Sequence, residues 1–200
     1  MRKDHFHQRA KREGFRSRAV YKLAQLQGAH RVLRSGQKVV DLGCWPGGWL
    51  EEASRAVGAR GRVVGVDLQA IDPPLELNNV VALVGDLTDP GIADRVLETL
   101  GGPCHVLLSD AAPKLSGVRE TDDAAEECLL EAIESLLAGL LRDRGDLLVK
   151  LLECPDAQAF QRRLRERFES VKTVKAAATR KGSRERYLLA RGFQGAESID

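Results

Sequence analysis

Residues 41–49, Asp-Leu-Gly-Cys-Trp-Pro-Gly-Gly-Trp, combine the residue types most suited to ligand chemistry in this chain. Gly43, Gly47 and Gly48 let the backbone adopt positive φ and approach a ligand that any Cβ would push away. Asp41 supplies a carboxylate, and no Lys or Arg lies within the turn to meet a phosphate. An acid here repels phosphate and attracts a cation. The turn therefore favours S-adenosylmethionine, which carries an ammonium and a sulfonium group and no phosphate.

The spacing of the turn separates it from two other nucleotide-binding motifs. A dinucleotide-binding turn has the pattern G-x-G-x-x-G, and a phosphate-binding loop ends in G-K-[ST]. Residues 41–48 have the pattern D-x-G-x-x-x-G-G, which disfavours a nicotinamide-dependent oxidoreductase. On this stretch alone, one alternative stays open, namely that the glycines form a turn in some other α/β protein.

Three further acids, Asp67, Asp86 and Asp110, follow apolar runs that predict strands. An acid at the tip of the second strand holds the ribose diol in nucleoside-binding α/β sheets, so Asp67 is the predicted ribose ligand. Asp86 is predicted to accept a hydrogen bond from an adenine amino group. Each acid alone could instead cap a helix. The carboxyl ends of parallel strands share one edge of a sheet, however, and the set together predicts a binding site there.

Lys150 interrupts the otherwise apolar run 146–152. A charge in a central strand is costly unless it is paired or reaches solvent at the strand's end, which makes Lys150 a candidate site residue. Lys22, in the second turn of a predicted helix, is more simply a solvated lysine when taken by itself.

These residues must be positioned by alternating strands and helices. Short β-branched or apolar runs predict strands at 38–41, 61–67, 80–84, 105–110, 146–152, 171–174 and 187–190. Helical spacing predicts helices over 17–34, after residue 49, over 91–100, from a cap at Thr121 or Asp122, and over 156–168. The fourth of these helices is predicted to expose Glu126, Glu127, Glu131 and Glu134. Residues 142–145 are predicted to form a turn.

The 200 residues fit one domain, 1–200, with an α/β fold. Residues 1–34 have a net charge of +8, residues 35–161 of −12, and residues 162–200 of +6. Residues 1–16 are predicted to be a basic, mobile arm, and residues 193–200 a frayed tail. If the two basic ends meet on one face, they form a positive surface suited to a phosphate backbone. The alternatives are a solubilising tail and a solvated helix.

The cysteines, Cys44, Cys104, Cys128 and Cys154, are far apart and form no C-x-x-C pair. We expect reduced thiols in a cytoplasmic protein and no metal site. No apolar run is long enough to span a bilayer, and no signal region follows the N-terminus, so we expect no membrane partner.

Five motifs, in order, resemble the FtsJ/RlmE-type ribose 2′-O-methyltransferases. They are R-S-R-A-V-Y-K-L with Lys22, the turn D-L-G-C-W-P-G-G-W, S-D-A-A-P with Asp110, L-L-V-K with Lys150, and S-R-E-R-Y with Glu185. The match runs from about Phe15 to Arg191. Trp45 is a departure, because the family usually has a small residue there.

The resemblance implies a Rossmann-like methyltransferase fold with a seven-stranded, mostly parallel sheet, a last antiparallel strand and helices on both faces. It implies a catalytic tetrad of Lys22, Asp110, Lys150 and Glu185. It also implies S-adenosyl-L-methionine contacts at Gly43, Gly47, Gly48, Trp49, Asp67, Asp86 and Asp110. We add Asp41 and Pro46 of the glycine turn to the predicted cofactor-binding residues. The implied substrate is a uridine ribose in 23S ribosomal RNA of the large subunit, and we expect the enzyme to be a monomer.

The reaction requires a base or a cation at the ribose 2′-hydroxyl, and in-line attack at roughly 3 Å. We assign Lys150 to the 2′-oxygen, with Asp110 orienting it and Lys22 and Glu185 positioning the ribose. The basic arm, the arginine-rich helix over 156–168 and the loop 180–184 are predicted to bind phosphates around the target. Two alternatives stay open: the same reaction on transfer RNA or another ribosomal RNA site, and an RNA-binding module without catalysis, against which the intact tetrad argues.

Overall fold

The computed structural model describes residues 5–113, 116–179 and 183–195. The strands are β1 (Lys38–Leu42), β2 (Arg62–Asp67), β3 (Val80–Val84), β4 (Cys104–Ser109), β5 (Leu141–Leu152), β6 (Phe168–Val174) and β7 (Glu185–Phe193). The helices are α1 (His5–Glu13), α2 (Ala19–His30), α3 (Gly48–Val57), α4 (Ile92–Leu100), α5 (Arg119–Leu140) and α6 (Pro155–Arg167). No helix within these ranges is long and apolar enough to cross a membrane.

The seven strands form one sheet in the order β3-β2-β1-β4-β5-β7-β6. Strands β1 to β5 pair in parallel, and β7 is antiparallel to both β5 and β6. The strands β1, β2, β4 and β5 bury apolar side chains on both faces, as expected for a parallel sheet covered on both sides, whereas the edge strand β3 is partly exposed. The predicted Rossmann-like sheet, with its antiparallel last strand, is confirmed.

Helices cover each face of the sheet. Helices α2 and α3 pack on one face, where Leu23 and Leu50 are fully buried. Helices α4, α5 and α6 pack on the other, where Val96, Leu137 and Phe160 are fully buried. Because successive side chains of a strand point to opposite faces, neighbouring residues of β5 and β7 pack in the layers on opposite sides of the sheet.

Several predicted boundaries change in the structure. Helix α5 begins at Arg119, before the predicted caps, and the carboxylate of Asp122 accepts hydrogen bonds from the backbone of the loop before it, at Ser116 and Gly117. Strand β5 begins at Leu141, so the segment predicted as the turn 142–145 continues the strand beside Cys104 of β4.

Two predictions about exposure were wrong. Glu126, predicted on the outer face of α5, is buried at 2% exposure and accepts a hydrogen bond from the backbone N–H of Leu152. Phe193, predicted to begin the frayed tail, ends β7 and packs against Phe168 with a ring separation of 5.2 Å. In both cases a partner remote in the chain decides the position. Of the predicted tail, residues 196–200 lie outside the described residues.

Residues 5–13 of the predicted arm form helix α1. Ala10 of α1 is buried with Val20, Tyr21 and Ala178, so the two ends of the chain meet here. The backbone N–H of Ala178 also donates to Gln25 Oε1 of α2 at 2.8 Å. The segment around Ala178 therefore lies beside α1, whereas the arginines of α6 lie on the other face of the sheet, so only part of the C-terminal basic segment is on the side of the N-terminal one.

Candidate active site

The turn after β1 and the end of β4 are adjacent at the carboxyl edge of the sheet, since Leu42 pairs with Ser109. Gly43 has a φ of +78°, and a Cβ there would lie 2.4 Å from the Cβ of Ala111. Only glycine allows this approach, because both the backbone angle and the contact exclude a side chain. The close packing brings the turn alongside Asp110.

The second half of the turn begins helix α3. Gly47 has a φ of +110° and precedes the first helical residue, Gly48. A Cβ on Gly48 would lie 2.3 Å from Ser17 Oγ, so the segment leading into α2 packs directly on the turn. The first backbone N–H groups of a helix have no partner within it, and they point out of its end. This end of α3 can therefore donate hydrogen bonds to a ligand at the sheet edge.

Trp49 ties α2 to the site through its side chain. Its indole Nε1 donates to the carbonyl of Ala19 at 3.0 Å, and its ring stacks on Tyr187 with centroids 5.9 Å apart. The ring is thus part of the core between α2, α3 and β7. Any contact of Trp49 with a cofactor in the turn would come from its backbone.

The four residues of the predicted tetrad lie together at the carboxyl edge. Lys22 Nζ lies 2.6 Å from Glu185 Oε1 and 3.7 Å from Asp110 Oδ1. Lys150 Nζ lies 3.2 Å from the same oxygen of Asp110 and also donates to the backbone carbonyl of Asp110. Both lysines are less than 10% exposed, so each buried ammonium has an anionic partner, as buried charges require.

Tyr187 is a site residue that the sequence reasoning missed. Its hydroxyl lies 2.9 Å from both Asp110 Oδ1 and Glu185 Oε1 and donates its proton to one of them at a time. Burial, and then the charges of these two acids, raise the pKa of the phenol, so it stays neutral. Strand alternation was the available signal, because Tyr187 lies two residues after Glu185 and so on the same face.

The cluster balances two cations against two anions. Burial opposes the ionisation of Glu185, but its hydrogen bond to Lys22 and the lysine's charge outweigh burial and hold the pKa of Glu185 below its ordinary value. Glu185 is therefore a carboxylate at neutral pH, and it fixes the ammonium of Lys22 beside Asp110. The arrangement can hold a hydroxyl group between ammonium donors.

Asp41 is fully buried, and neither of its carboxylate oxygens has a hydrogen-bond partner among the described residues. Burial raises the pKa of Asp41 well above its ordinary value, and the negative charges of Asp110 and Asp67 raise it further. An unpaired buried acid of this kind needs a cation or a donor. The ammonium of S-adenosylmethionine fits that need, so the residues present are suited to this cofactor.

The two other predicted cofactor ligands lie at the ends of β2 and β3. Asp67 accepts hydrogen bonds from the backbone N–H of Trp45 at 2.9 Å and of Gln69 at 3.0 Å, which fixes the glycine turn against β2. Asp86 is bonded to Thr88 at 2.8 Å and 2.9 Å. The side chain of Trp45 is half exposed, while its backbone is held by Asp67.

The predicted phosphate-binding residues divide into two groups. Arg163 and Arg167 of α6 lie 2.8 Å and 4.0 Å from the carboxylate of Glu134, whereas Arg162 and Arg165 lie on another side of the helix. Arg184 lies 3.5 Å from Asp123. The remainder of the predicted basic loop, residues 180–182, lies outside the described residues. Within the described ranges no group of three or more His, Cys, Asp or Glu could hold a metal ion.

Comparison with known proteins gives matches along nearly the whole chain. A family model described as FtsJ-like methyltransferase matches residues 15–193. A Methanothermobacter thermautotrophicus protein named ribosomal RNA large subunit methyltransferase E is 41% identical over 197 residues, covering 98% of this chain and 92% of that protein. A Pseudomonas aeruginosa protein of the same name is 41% identical over 187 residues, covering 93% and 89%.

Solved structures share the fold. A protein from Plasmodium falciparum named as a ribosomal RNA methyltransferase superimposes with a TM-score of 0.80 at 25% identity, covering 90% of this chain and 100% of that one. The fibrillarin of Aeropyrum pernix, solved with natively bound S-adenosyl-L-methionine, superimposes with a TM-score of 0.61 at 16% identity, covering 88% and 74%. The second likeness supports the fold alone.

Proposed function

This chain belongs to the FtsJ-like methyltransferase family, and we propose that it methylates the 2′-hydroxyl of a uridine ribose in 23S ribosomal RNA of the large subunit. It is an S-adenosylmethionine-dependent RNA methyltransferase, which confirms the resemblance seen in its motifs. The ribosomal substrate is supported by the names of relatives that align over almost their full length.

One observation carries the proposed reaction. The ammonium groups of Lys22 and Lys150 both approach a single oxygen, Asp110 Oδ1, at 3.7 Å and 3.2 Å, although 128 positions separate them in the chain. Two amines held beside one acid, next to a glycine turn suited to a cationic cofactor, match what alkylation of a hydroxyl requires. The hydroxyl must be held, and its developing negative charge must be stabilised.

We assign the following roles. S-Adenosylmethionine supplies an electrophilic methyl group when it is bound. Lys150, as an ammonium, holds the 2′-oxygen and stabilises the negative charge that develops there, and the hydroxyl proton leaves to solvent. Asp110 orients Lys150 through its carboxylate and its backbone carbonyl. Lys22, fixed by Glu185 at 2.6 Å, positions the ribose. Asp41 holds the ammonium of the cofactor, Asp67 and Asp86 bind its nucleoside, and the first turn of α3 lies against it.

The proposed setting is the cytoplasm, where the protein acts as a monomer on ribosomal RNA or on the assembled large subunit. Mapping 2′-O-methyl groups in ribosomal RNA from cells with and without the protein tests the substrate. We expect one uridine methyl group to disappear. Methyl groups lost only from transfer RNA, or from another ribosomal site, would move the assignment to that substrate, and assays on intact large subunits against free RNAs would decide which form is used.

Lys150→Ala tests the mechanism. We expect the variant to lose methyl transfer, by three orders of magnitude or more, while it retains binding of RNA and of S-adenosylmethionine. The matched control is Lys172→Ala, because Lys172 is an exposed lysine on β6. The measurements are single-turnover methyl transfer, binding of both ligands and the melting temperature. Unaltered turnover in Lys150→Ala would remove Lys150 from the mechanism.

A further inference from the structure

A cavity of about 430 Å³ lies between α6 and strands β5, β6 and β7. Its floor includes Leu151 and Leu188, and its rim includes Arg162, Arg165 and Arg186. The volume is within the range of small-ligand sites, about 300–1,000 Å³. An apolar floor under three guanidinium groups suits a nucleotide, whose ribose and base are largely apolar on their faces and whose phosphate is anionic.

The cavity lies close to the active site in the chain but on the opposite face of the sheet. Leu151 directly follows Lys150, and Arg186 directly follows Glu185. Leu151 and Arg186 pair across β5 and β7, as do Lys150 and Tyr187. Because side chains alternate along a strand, the first pair lines the cavity and the second faces the active site. A polymer that reaches the active site over the carboxyl end of β5 can therefore continue into the cavity.

The charges of the cavity are available for an anion. Among the residues that the structure describes, Arg162 and Arg165 have no ion-pair partner, and both are exposed. Glu153, the one acid among the described lining residues, lies 3.2 Å from Arg186. The guanidinium of Arg186 is also held by the carbonyls of Ser183 and Glu185. Arg186 is thus held in place as part of the cavity wall. Arg162 and Arg165 are free to donate hydrogen bonds to an anion.

We propose that this cavity is a subsite for the phosphodiester backbone of the RNA substrate, with Arg162 and Arg165 as its phosphate ligands. The proposal rests on the proposed function in one respect, namely that the bound polymer is RNA. Gln158 and Gln161 line the same wall and add hydrogen-bond donors for phosphate or sugar oxygens. Phosphate contacts position a nucleic acid and carry no sequence information. The subsite therefore fixes the register of the RNA over the active site, and base choice is made elsewhere.

Helix α6 offers a matched control for the test. The variant Arg162→Gln/Arg165→Gln removes two charges from the cavity. The control Arg163→Gln/Arg167→Gln removes two charges from the same helix on the side that faces Glu134. The probes are large-subunit ribosomal RNA purified from cells lacking the protein, an unrelated RNA of equal length, and intact large subunits from the same cells. The measurements are the Kd for each RNA across a salt series, the Kd for S-adenosylmethionine, and KM and kcat separately.

We expect the cavity variant to weaken binding of both RNAs equally, by about tenfold at moderate salt. The slope of log Kd against log salt should fall by about 1.4–1.8, since each lost phosphate contact contributes about 0.7–0.9. KM should rise, while kcat and the affinity for S-adenosylmethionine stay unchanged. The control should change the Kd for RNA less than twofold.

Three results would overturn the subsite: unchanged RNA affinity in the cavity variant, equal weakening in the control, or a loss seen only on assembled subunits and not on free RNA. The last would indicate a ribosomal protein as the occupant. Failure of the proposed function has a different signature, in which the unmodified protein methylates no ribosomal RNA. The salt-dependent binding experiment still tests the cavity in that case.

Discussion

At the scale of single residues, one carboxylate oxygen organises the active site. Asp110 Oδ1 lies within 3.7 Å of donors on Lys22, Lys150 and Tyr187. Three donors around one acceptor fix the two ammonium groups relative to each other. Loss of any one donor leaves the oxygen with two others, so the ammonium of Lys150 can change its partner during the reaction without leaving Asp110 unpaired.

The burial of Asp41 predicts how the stability of the protein depends on pH. Its folded-state pKa is raised above the unfolded value of about 3.9, so between those two values the folded protein binds more protons than the unfolded chain. The free energy of unfolding contributed by Asp41 therefore falls as pH rises through that window. Asp41→Asn cannot ionise, so we expect the cofactor-free variant to melt several degrees higher than the unmodified protein at pH 8, with the difference shrinking toward pH 4.

The control for this prediction is Asp86→Asn. Asp86 is bonded to Thr88, and these hydrogen bonds hold its pKa below its ordinary value, so its ionised form is favoured by folding. This substitution should leave the melting temperature at pH 8 equal or slightly lower. Asp41→Asn should also weaken binding of S-adenosylmethionine, measured by calorimetry. A melting temperature that is lower than that of the unmodified protein across the whole pH range would contradict the role of Asp41 as a destabilising buried acid.

At the scale of elements, the turn between β1 and α3 is held from three sides. Asp67 of β2 bonds the backbone of Trp45, Ala111 after β4 packs against Gly43, and Ser17 before α2 packs against Gly48. Three elements thus determine the shape of a turn that is only a few residues long. This packing explains why a half-exposed tryptophan at position 45 is compatible with the turn, because only its backbone is fixed.

Gly43→Ala tests this packing, with Gly36→Ala as its control. Both glycines have positive φ, +78° and +81°, but a Cβ at Gly36 meets nothing within 4 Å, whereas one at Gly43 meets both the Cβ and the Cα of Ala111. Both variants should lose about 1 kcal/mol of stability from backbone strain. Only Gly43→Ala should displace the segment next to Asp110, and we expect it to lose at least tenfold in affinity for S-adenosylmethionine. Equal affinities in the two variants would show that the contact with Ala111 does not shape the cofactor site.

At the scale of the whole molecule, the fold packs helix α1 and the segment around Ala178 against helix α2. Tyr21, next to Lys22, packs against Phe6 and Phe15 with ring centroids 5.6 Å and 5.9 Å away, and its hydroxyl donates to Glu13. Helix α1 is therefore attached to the helix that carries a predicted catalytic lysine. Its exposed cations include Lys11 and Arg12, so this helix carries positive charge on the part of the molecule next to α2.

Removal of residues 1–14 should weaken RNA binding and leave binding of S-adenosylmethionine intact. The deletion also removes the packing around Tyr21, so we expect kcat to fall as well. The matched variant Lys11→Gln/Arg12→Gln removes two exposed charges and keeps the packing. It should raise the Kd for RNA about tenfold at unchanged kcat. Equal RNA affinity in both variants and the unmodified protein, measured by filter binding, would refute a role of this end in RNA binding.

The sequence by itself determined the strands, the glycine turn, the family and the members of the predicted tetrad. Each of these depends on local properties: apolar runs for strands, small residues for a turn, and short motifs in order. The boundaries of α5 and β5, the burial of Glu126 and the place of Phe193 depend on partners far away in the chain, and the sequence predictions for them were wrong.

Only the tertiary structure decided which charged groups lie next to each other. The local sequence pattern predicts the same role for all four arginines of α6. In the structure, Glu134 lies on one side of the helix and the cavity on the other. The sequence analysis also gave no role to Tyr187, whose hydroxyl meets Glu185 along its own strand but reaches Asp110 only because β7 lies next to β5, which pairs with β4. The physical reason is the same in both cases. The energy of a charge or a buried polar group depends on its nearest partners, and the fold brings those partners together from distant parts of the chain.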